Sequence, residues 1–187
     1  MTLTYHLQII NLLAALLLLI SFAMLSQRRI VGLITLFAWQ GAALTASTAL
    51  VAWSTHQHHL YYSAAITLVL KVIAMPWYFF HIVKKLDVDR DVEPMINIPT
   101  TMLIGIVLVI FAFNLALPIS QMSGTVTRST LGIAMACVLL AFLMMITRRK
   151  AITQVIGFLA MENGLFFAAT SATYGMPMVV ELGIALD

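Results

Sequence analysis

Tyr61 to Ile82 reads YYSAAITLVLKVIAMPWYFFHI, 22 residues among which Lys71 is the only formally charged side chain. About 20 apolar residues, at 1.5 Å each, cross the roughly 30 Å hydrocarbon core of a bilayer. The segment therefore reads as a membrane span that carries an ammonium group at mid-depth, a placement costing roughly 2.5 to 3.5 kcal/mol. Working outward, hydropathy predicts further helices at 3–25, 30–53, 99–118, 129–147 and 152–173, with this one at 61–82 and a seventh starting near Pro177. The expected fold is all-α: a polytopic transmembrane helix bundle of six full helices plus the start of a seventh.

The composition agrees. Of 187 residues, 62% are hydrophobic and 9% charged, against about a quarter charged in a soluble domain. The net charge of +3 comes from short clusters between helices and forms no basic stripe, which excludes nucleic acid as a partner. Those clusters, Arg28 with Arg29, Lys84 and Lys85 with Arg90, and Arg148 to Lys150, mark the first, third and fifth loops as cytoplasmic. The N-terminus is then outside. Arg28 and Arg29 follow the first apolar segment, which reads as a retained helix rather than a cleaved signal. Cys137, the one cysteine, can make neither an intrachain disulfide nor a thiolate metal site alone.

Three units are expected: residues 1–86 as a first three-helix unit, 87–127 as a cytoplasmic loop and linking fourth helix, and 128–187 as a second unit. A weak parallel repeat joins the outer two. Gln27-Arg28-Arg29 precedes a helix bearing Gln40, as Thr147-Arg148-Arg149-Lys150 precedes one bearing Glu162. The next helix then carries Lys71 in one copy and Asp187 in the other. The last segment stops at Asp187 after about ten residues, roughly 15 Å of helix and half the hydrocarbon thickness, which reads as a chain cut short.

Counting residues from the helix ends puts Gln40, Lys71, Glu162 and Asp187 each about 15 Å deep, with Glu181 nearer the outer interface. Titratable groups at one depth on neighbouring helices, bridged by waters, are what lateral proton transfer inside a membrane requires. The bland reading of the same charges is a static interhelical ion pair, Lys71 with Glu162 or Asp187. Ser63, Thr67 and Lys71 recur every four residues and form one polar stripe from the outer surface to the midplane. Pro76 lacks an N–H for the Val72 carbonyl, so a kink is expected just after the lysine. Pro118 reads as plain helix termination. Asn163 and Gly164 extend the polar patch at Glu162, and Gly41, Thr45 and Thr48 read as a small-residue packing seam.

Histidines do not suggest a haem, because His6 and His81 fall near opposite faces. His56, His58 and His59 cluster in an outer loop without acidic or cysteine partners and read as solvated. The sequence has no phosphate loop, nucleophile elbow or Cys pair, and so no catalytic apparatus of its own.

Gly157-Phe-Leu-Ala-Met-Glu-Asn-Gly164, then Val180-Glu-Leu-Gly-Ile-Ala-Leu-Asp187, together with Ser63-Ala-Ala-Ile-Thr-Leu-Val-Leu-Lys71 and the proline that follows, resembles the membrane component E of hydrogenase-4. The likeness covers nearly the whole chain. It implies the group-4, energy-converting [NiFe] hydrogenases and formate hydrogenlyase relatives, whose membrane arms are similar to that of respiratory complex I. The last three helices look like the K subunit of complex I and the C subunit of multisubunit Na+/H+ antiporters, with Glu162 where the complex I subunit has its middle-helix glutamate. The second glutamate of that subunit has no clear counterpart, and family members continue past the equivalent of Asp187.

The resemblance implies a prokaryotic inner-membrane subunit that passes protons, or Na+, through Lys71, Glu162 and Asp187, with Glu181 and Gln40 beside them. The implied partners are antiporter-like membrane subunits, a membrane anchor like the H subunit of complex I, [NiFe] hydrogenase-type soluble subunits and membrane lipid. No cofactor is expected in this chain; a NiFe centre and iron-sulfur clusters would belong to partner subunits. Two other readings stand beside this one: an assembly subunit whose charges are fixed ion pairs, and an autonomous cation exchanger.

Overall fold

Apolar helices gain little by hiding from lipid tails, so their association rests on close packing, small residues and interhelical polar bonds. The computed structural model, which describes residues 2–55, 58–85, 92, 94–122 and 128–173, shows each of these devices. Seven α-helices follow in chain order: α1 (Thr2–Ser26), α2 (Ile30–Thr55), α3 (His58–Thr67), α4 (Met75–Lys85), α5 (Ile98–Met122), α6 (Arg128–Thr147) and α7 (Ala151–Thr173). A π-helical segment, Leu68–Ala74, joins α3 to α4. The described residues contain no strand, only one isolated bridge between Pro94 and Arg148, and six helical spans are long and apolar enough to cross a membrane. The predicted seventh segment lies outside the described residues.

The bundle has a centre and a rim. Helices α1, α2, α6 and α7 pack together, α5 lies against α6 and α1, and the α3–π–α4 rod lies against α2. The span in α6 is 61% buried, that of the rod 17% and that of α5 22%, so those two rim elements turn most of their apolar surface outward. Phe37, Leu33 and Ile34 of α2, Leu140 and Met144 of α6 and Phe167 of α7 fill the centre. Phe79 reaches in from α4, its ring edge-on to Phe37 at a centroid distance of 6.5 Å.

At Gly164 the bundle has no room for a side chain. A Cβ there would stand 2.9 Å from Val138 Cγ2 and 3.1 Å from the Val138 backbone nitrogen, and backbone cannot yield as a side-chain tip can.

Three sequence expectations change. Arg148, read as a loop charge, is 2% exposed. Its Nη2 donates to the Leu25 carbonyl over 2.7 Å, one of the last carbonyls of α1, which have no partner within the helix. A guanidinium there caps α1 and complements the negative end of its dipole, and burial pushes its pKa below the ordinary arginine value. The chain leading to α5 is tied to the same end: the Val92 N–H donates to the Arg28 carbonyl and the Met95 N–H to the Thr147 carbonyl, over 2.7 and 2.8 Å.

Helix α5 does not stop at Pro118 but runs on to Met122. Pro118 has no N–H to give the Asn114 carbonyl, but that single missing bond does not end the helix, which completes one more turn beyond it. The third change concerns the kink expected after Lys71: the irregularity takes the form of the π segment, around the lysine and ahead of Pro76.

Arg148→Met removes a charge-assisted bond and should cost about 1.5 to 3 kcal/mol, read as a lower thermal midpoint in detergent, with Arg148→Lys losing less. Gly164→Leu should separate α6 from α7 at a cost of about 1 to 3 kcal/mol or more, seen as lost monodispersity in size-exclusion chromatography.

Candidate functional site

Of the groups singled out from sequence, Gln40, Lys71 and Glu162 gather around α7. Consecutive side chains on an α-helix point about 100° apart, so Glu162 and Asn163 address different neighbours. Glu162 faces the π segment, where Lys71 Nζ lies 3.3 Å from its Oε2. Asn163 faces α2, donating from Nδ2 to Gln40 Oε1 over 3.2 Å. Gln40 Nε2 in turn donates to Ser21 Oγ over 3.1 Å, and the Ser21 hydroxyl to the Leu17 carbonyl over 2.9 Å. One ion pair and one three-residue hydrogen-bond chain thus converge from four elements: α1, α2, the π segment and α7.

The ion pair is closed but not deeply sealed. The side chains of Lys71 and Glu162 are 12% and 11% exposed, and Val155, Phe158 and Leu165, which share the Glu162 stripe of α7, are exposed. The pair sits at the inner edge of a lateral apolar surface. A single 3.3 Å contact is longer and less constrained than a bidentate arginine pair, so each partner keeps polar capacity free for another group.

The Asn163 chain is fully buried, and its order is set by donors. Each donor atom in it reaches an acceptor, while Asn163 Oδ1 has no partner among the described residues. A buried carbonyl oxygen without a donor is a place where a water belongs. A cavity of about 10 Å³ lined by Ser21, Gln40, Met24, Leu140, Ala141, Met144 and Ala160 lies beside the chain and is about the size of one water.

The remaining expectations fall as follows. Thr67 is buried and Pro76 is buried, while Ser63 lies in α3 with its side chain outside the described set. Glu181 and Asp187 lie outside the described residues. Gln40 bonds Ser21 and Asn163 rather than the ion pair. Thr45 and Thr48 bond back to the Gly41 and Leu44 carbonyls, the packing role expected of the seam. His81 is exposed and stacks on Trp77 at 5.9 Å; the side chains of His6, His56, His58 and His59 are outside the described set. Among the described residues no group of three His, Cys, Asp or Glu could hold a metal ion. Ser21 went unremarked in the sequence because a serine that bonds its own helix is common in apolar segments.

No family model matches the chain, and no solved structure does so significantly. An uncharacterized protein of Mycobacterium tuberculosis, Rv0085, is 33% identical over 162 residues, 86% of this chain and 74% of that protein. Hydrogenase-4 component E of Escherichia coli is 22% identical over 179 residues, 96% of this chain and 83% of the relative, and the Shigella flexneri component is similar to the same degree. The chain therefore belongs to the same family of multi-pass membrane proteins as the mycobacterial Rv0085, and its distant homology to hydrogenase-4 component E supports a membrane hydrogenase subunit family.

Proposed function

We propose that this chain is a coupling subunit in the membrane arm of an energy-converting hydrogenase complex, where Lys71 and Glu162 hand protons, or Na+, sideways near mid-depth. The observation that carries the reading is the 3.3 Å contact of Lys71 Nζ with Glu162 Oε2, a pair of charges within two predominantly apolar spans. Charges so costly in hydrocarbon are kept where ions must be held or moved. The partly open lateral edge of the pair suits hand-over to a neighbouring subunit, antiporter-like on one side and a membrane anchor like the H subunit of complex I on the other. Glu181 and Asp187 extend the relay in this reading, while Gln40, bonded to Asn163 next to Glu162, holds α7 in place beside it. Redox chemistry, with its NiFe centre and iron-sulfur clusters, belongs to soluble partner subunits. The basic ends at Arg28, Lys84 and Arg148 face the cytoplasm of a prokaryotic cell, with the N-terminus on the outer side of the inner membrane.

A second reading is favoured by the same contact: a closed pair between the rim rod and α7 is also what an assembly clip looks like. The two separate cleanly. Replacing a buried pair by apolar or neutral groups of similar shape is often harmless to folding, whereas removing one partner strands a charge at about 3 to 5 kcal/mol. The double variant K71M/E162Q should therefore assemble with its partners in normal yield and lose redox-driven acidification of inverted membrane vesicles by about tenfold or more. Normal acidification by the double variant would leave the clip reading in possession. The swap K71E/E162K restores a clip but not an ordered relay, and should remain inactive.

A further inference from the structure

The rod that carries Lys71 has a phase problem. Counting about 100° per residue from Thr67, buried Ala64 falls at roughly 60° and Lys71 at roughly 40°, while buried Pro76, Phe79 and Val83 fall at roughly 180°, 120° and 160°. In an unbroken α-helix the two halves would bury faces about 120° apart. Yet α3, the π segment and α4 all pack on the same helix, α2, so both faces must point one way. A helix brings them into line by carrying one residue in surplus, worth about 100° of turn, and the π segment Leu68–Ala74 takes up that surplus with Lys71 at its centre.

The surplus can sit on either side of the lysine. Taken up between Lys71 and Pro76, it leaves Lys71 in phase with Thr67 and aimed inward. Taken up between Thr67 and Lys71, it turns the lysine about 100° away while both flanking halves keep their seats. The local surroundings favour such a shift. No residue of the π segment is buried, so no core side chain is withdrawn as it rewinds. The Met75 N–H already bonds the Leu70 carbonyl, five residues back, and Pro76 offers no N–H to the Lys71 or Val72 carbonyl. Across the interface stands Gly41, where a Cβ would lie 3.4 Å from the Lys71 Cβ and 3.4 Å from its carbonyl oxygen. Gly41 thus keeps the facing side of α2 free of a side chain where it comes close to the lysine's backbone.

We propose that the π turn is the moving part of the relay: passing its one-residue surplus across Lys71 swings the lysine off Glu162 and back. This rests on the relay reading, because a clip has no need to open. A pair that never parts cannot pass a proton on, and the rewinding turn supplies the opening.

Deleting Ile73, exposed and C-terminal to Lys71, removes the surplus. Ala64, Thr67, Lys71 and the shifted Pro76, Phe79 and Val83 then share a sector of about 80° in plain α geometry. The complex should assemble normally with the pair held shut, and vesicle acidification should fall about tenfold. Wild-type acidification in this variant overturns the proposal. If the deletion prevents assembly, Gly41→Ala decides: unchanged assembly with acidification slowed several-fold supports the moving turn, and an unchanged rate overturns it. Failure of the parent reading looks different, because there the K71M/E162Q double variant itself would pump normally.

Discussion

An ammonium and a carboxylate held together in hydrocarbon govern the arrangement of this bundle. Either charge alone, at mid-depth, costs a few kcal/mol, and lipid offers no water to soften it. The contact between Lys71 and Glu162 therefore commits the rim rod to lie where its fourth turn can reach α7, although the rod packs chiefly on α2 and α7 chiefly on α6. Everything around that crossing is shaped to allow it. Gly41 brings α2 up to the lysine's backbone, and the π segment absorbs the turn that the approach demands.

The second polar device works differently. Serine, glutamine and asparagine carry no charge to compensate, and their bonds in membranes are worth only about 0.6 to 2 kcal/mol each. What the Asn163–Gln40–Ser21 chain adds is direction. It ties α7 to α2 and α2 to α1 at one level, which fixes the rotation of α7 and so the side on which Glu162 emerges. One turn further along α1, at its C-terminal end, Arg148 does comparable work on backbone, closing α1 and anchoring the end of α6 to it. The central four helices are thus pinned at two heights by polar groups, with apolar packing between.

Much of this was legible in the sequence, and the reasons differ by feature. Six spans announce themselves because apolar length is an unambiguous signal when lipid is the solvent, and Lys71 and Glu162 stand out because charge is rare there. Their pairing was one of two partnerships open to Lys71. The π segment was not legible. Its detection needs contrast between buried and outward positions, and in LVLKVIA every residue but the lysine is apolar, so the phase of burial leaves no trace in the pattern. Arg148 was misread for a related reason: three basic residues in a row look alike, and only the open carbonyls at the end of α1 single one of them out. The proline at 118 misled because one missing N–H weakens a helix without having to end it.

Phase also bears on what kind of machine this is. A rigid clip between two helices would be served by a plain α-helix one residue shorter, with every buried side chain in register and no weakened turn at the charge. The chain instead keeps a wider, less favourable turn at the partly buried Lys71, beside a proline that withholds a hydrogen bond and opposite a glycine that withholds a side chain. Three features that each cost stability lie within one turn of the same lysine. Alignment of the rod's two faces on α2 accounts for a surplus residue somewhere in the rod, and its placement at the lysine is what the proposed opening and closing of the pair would use.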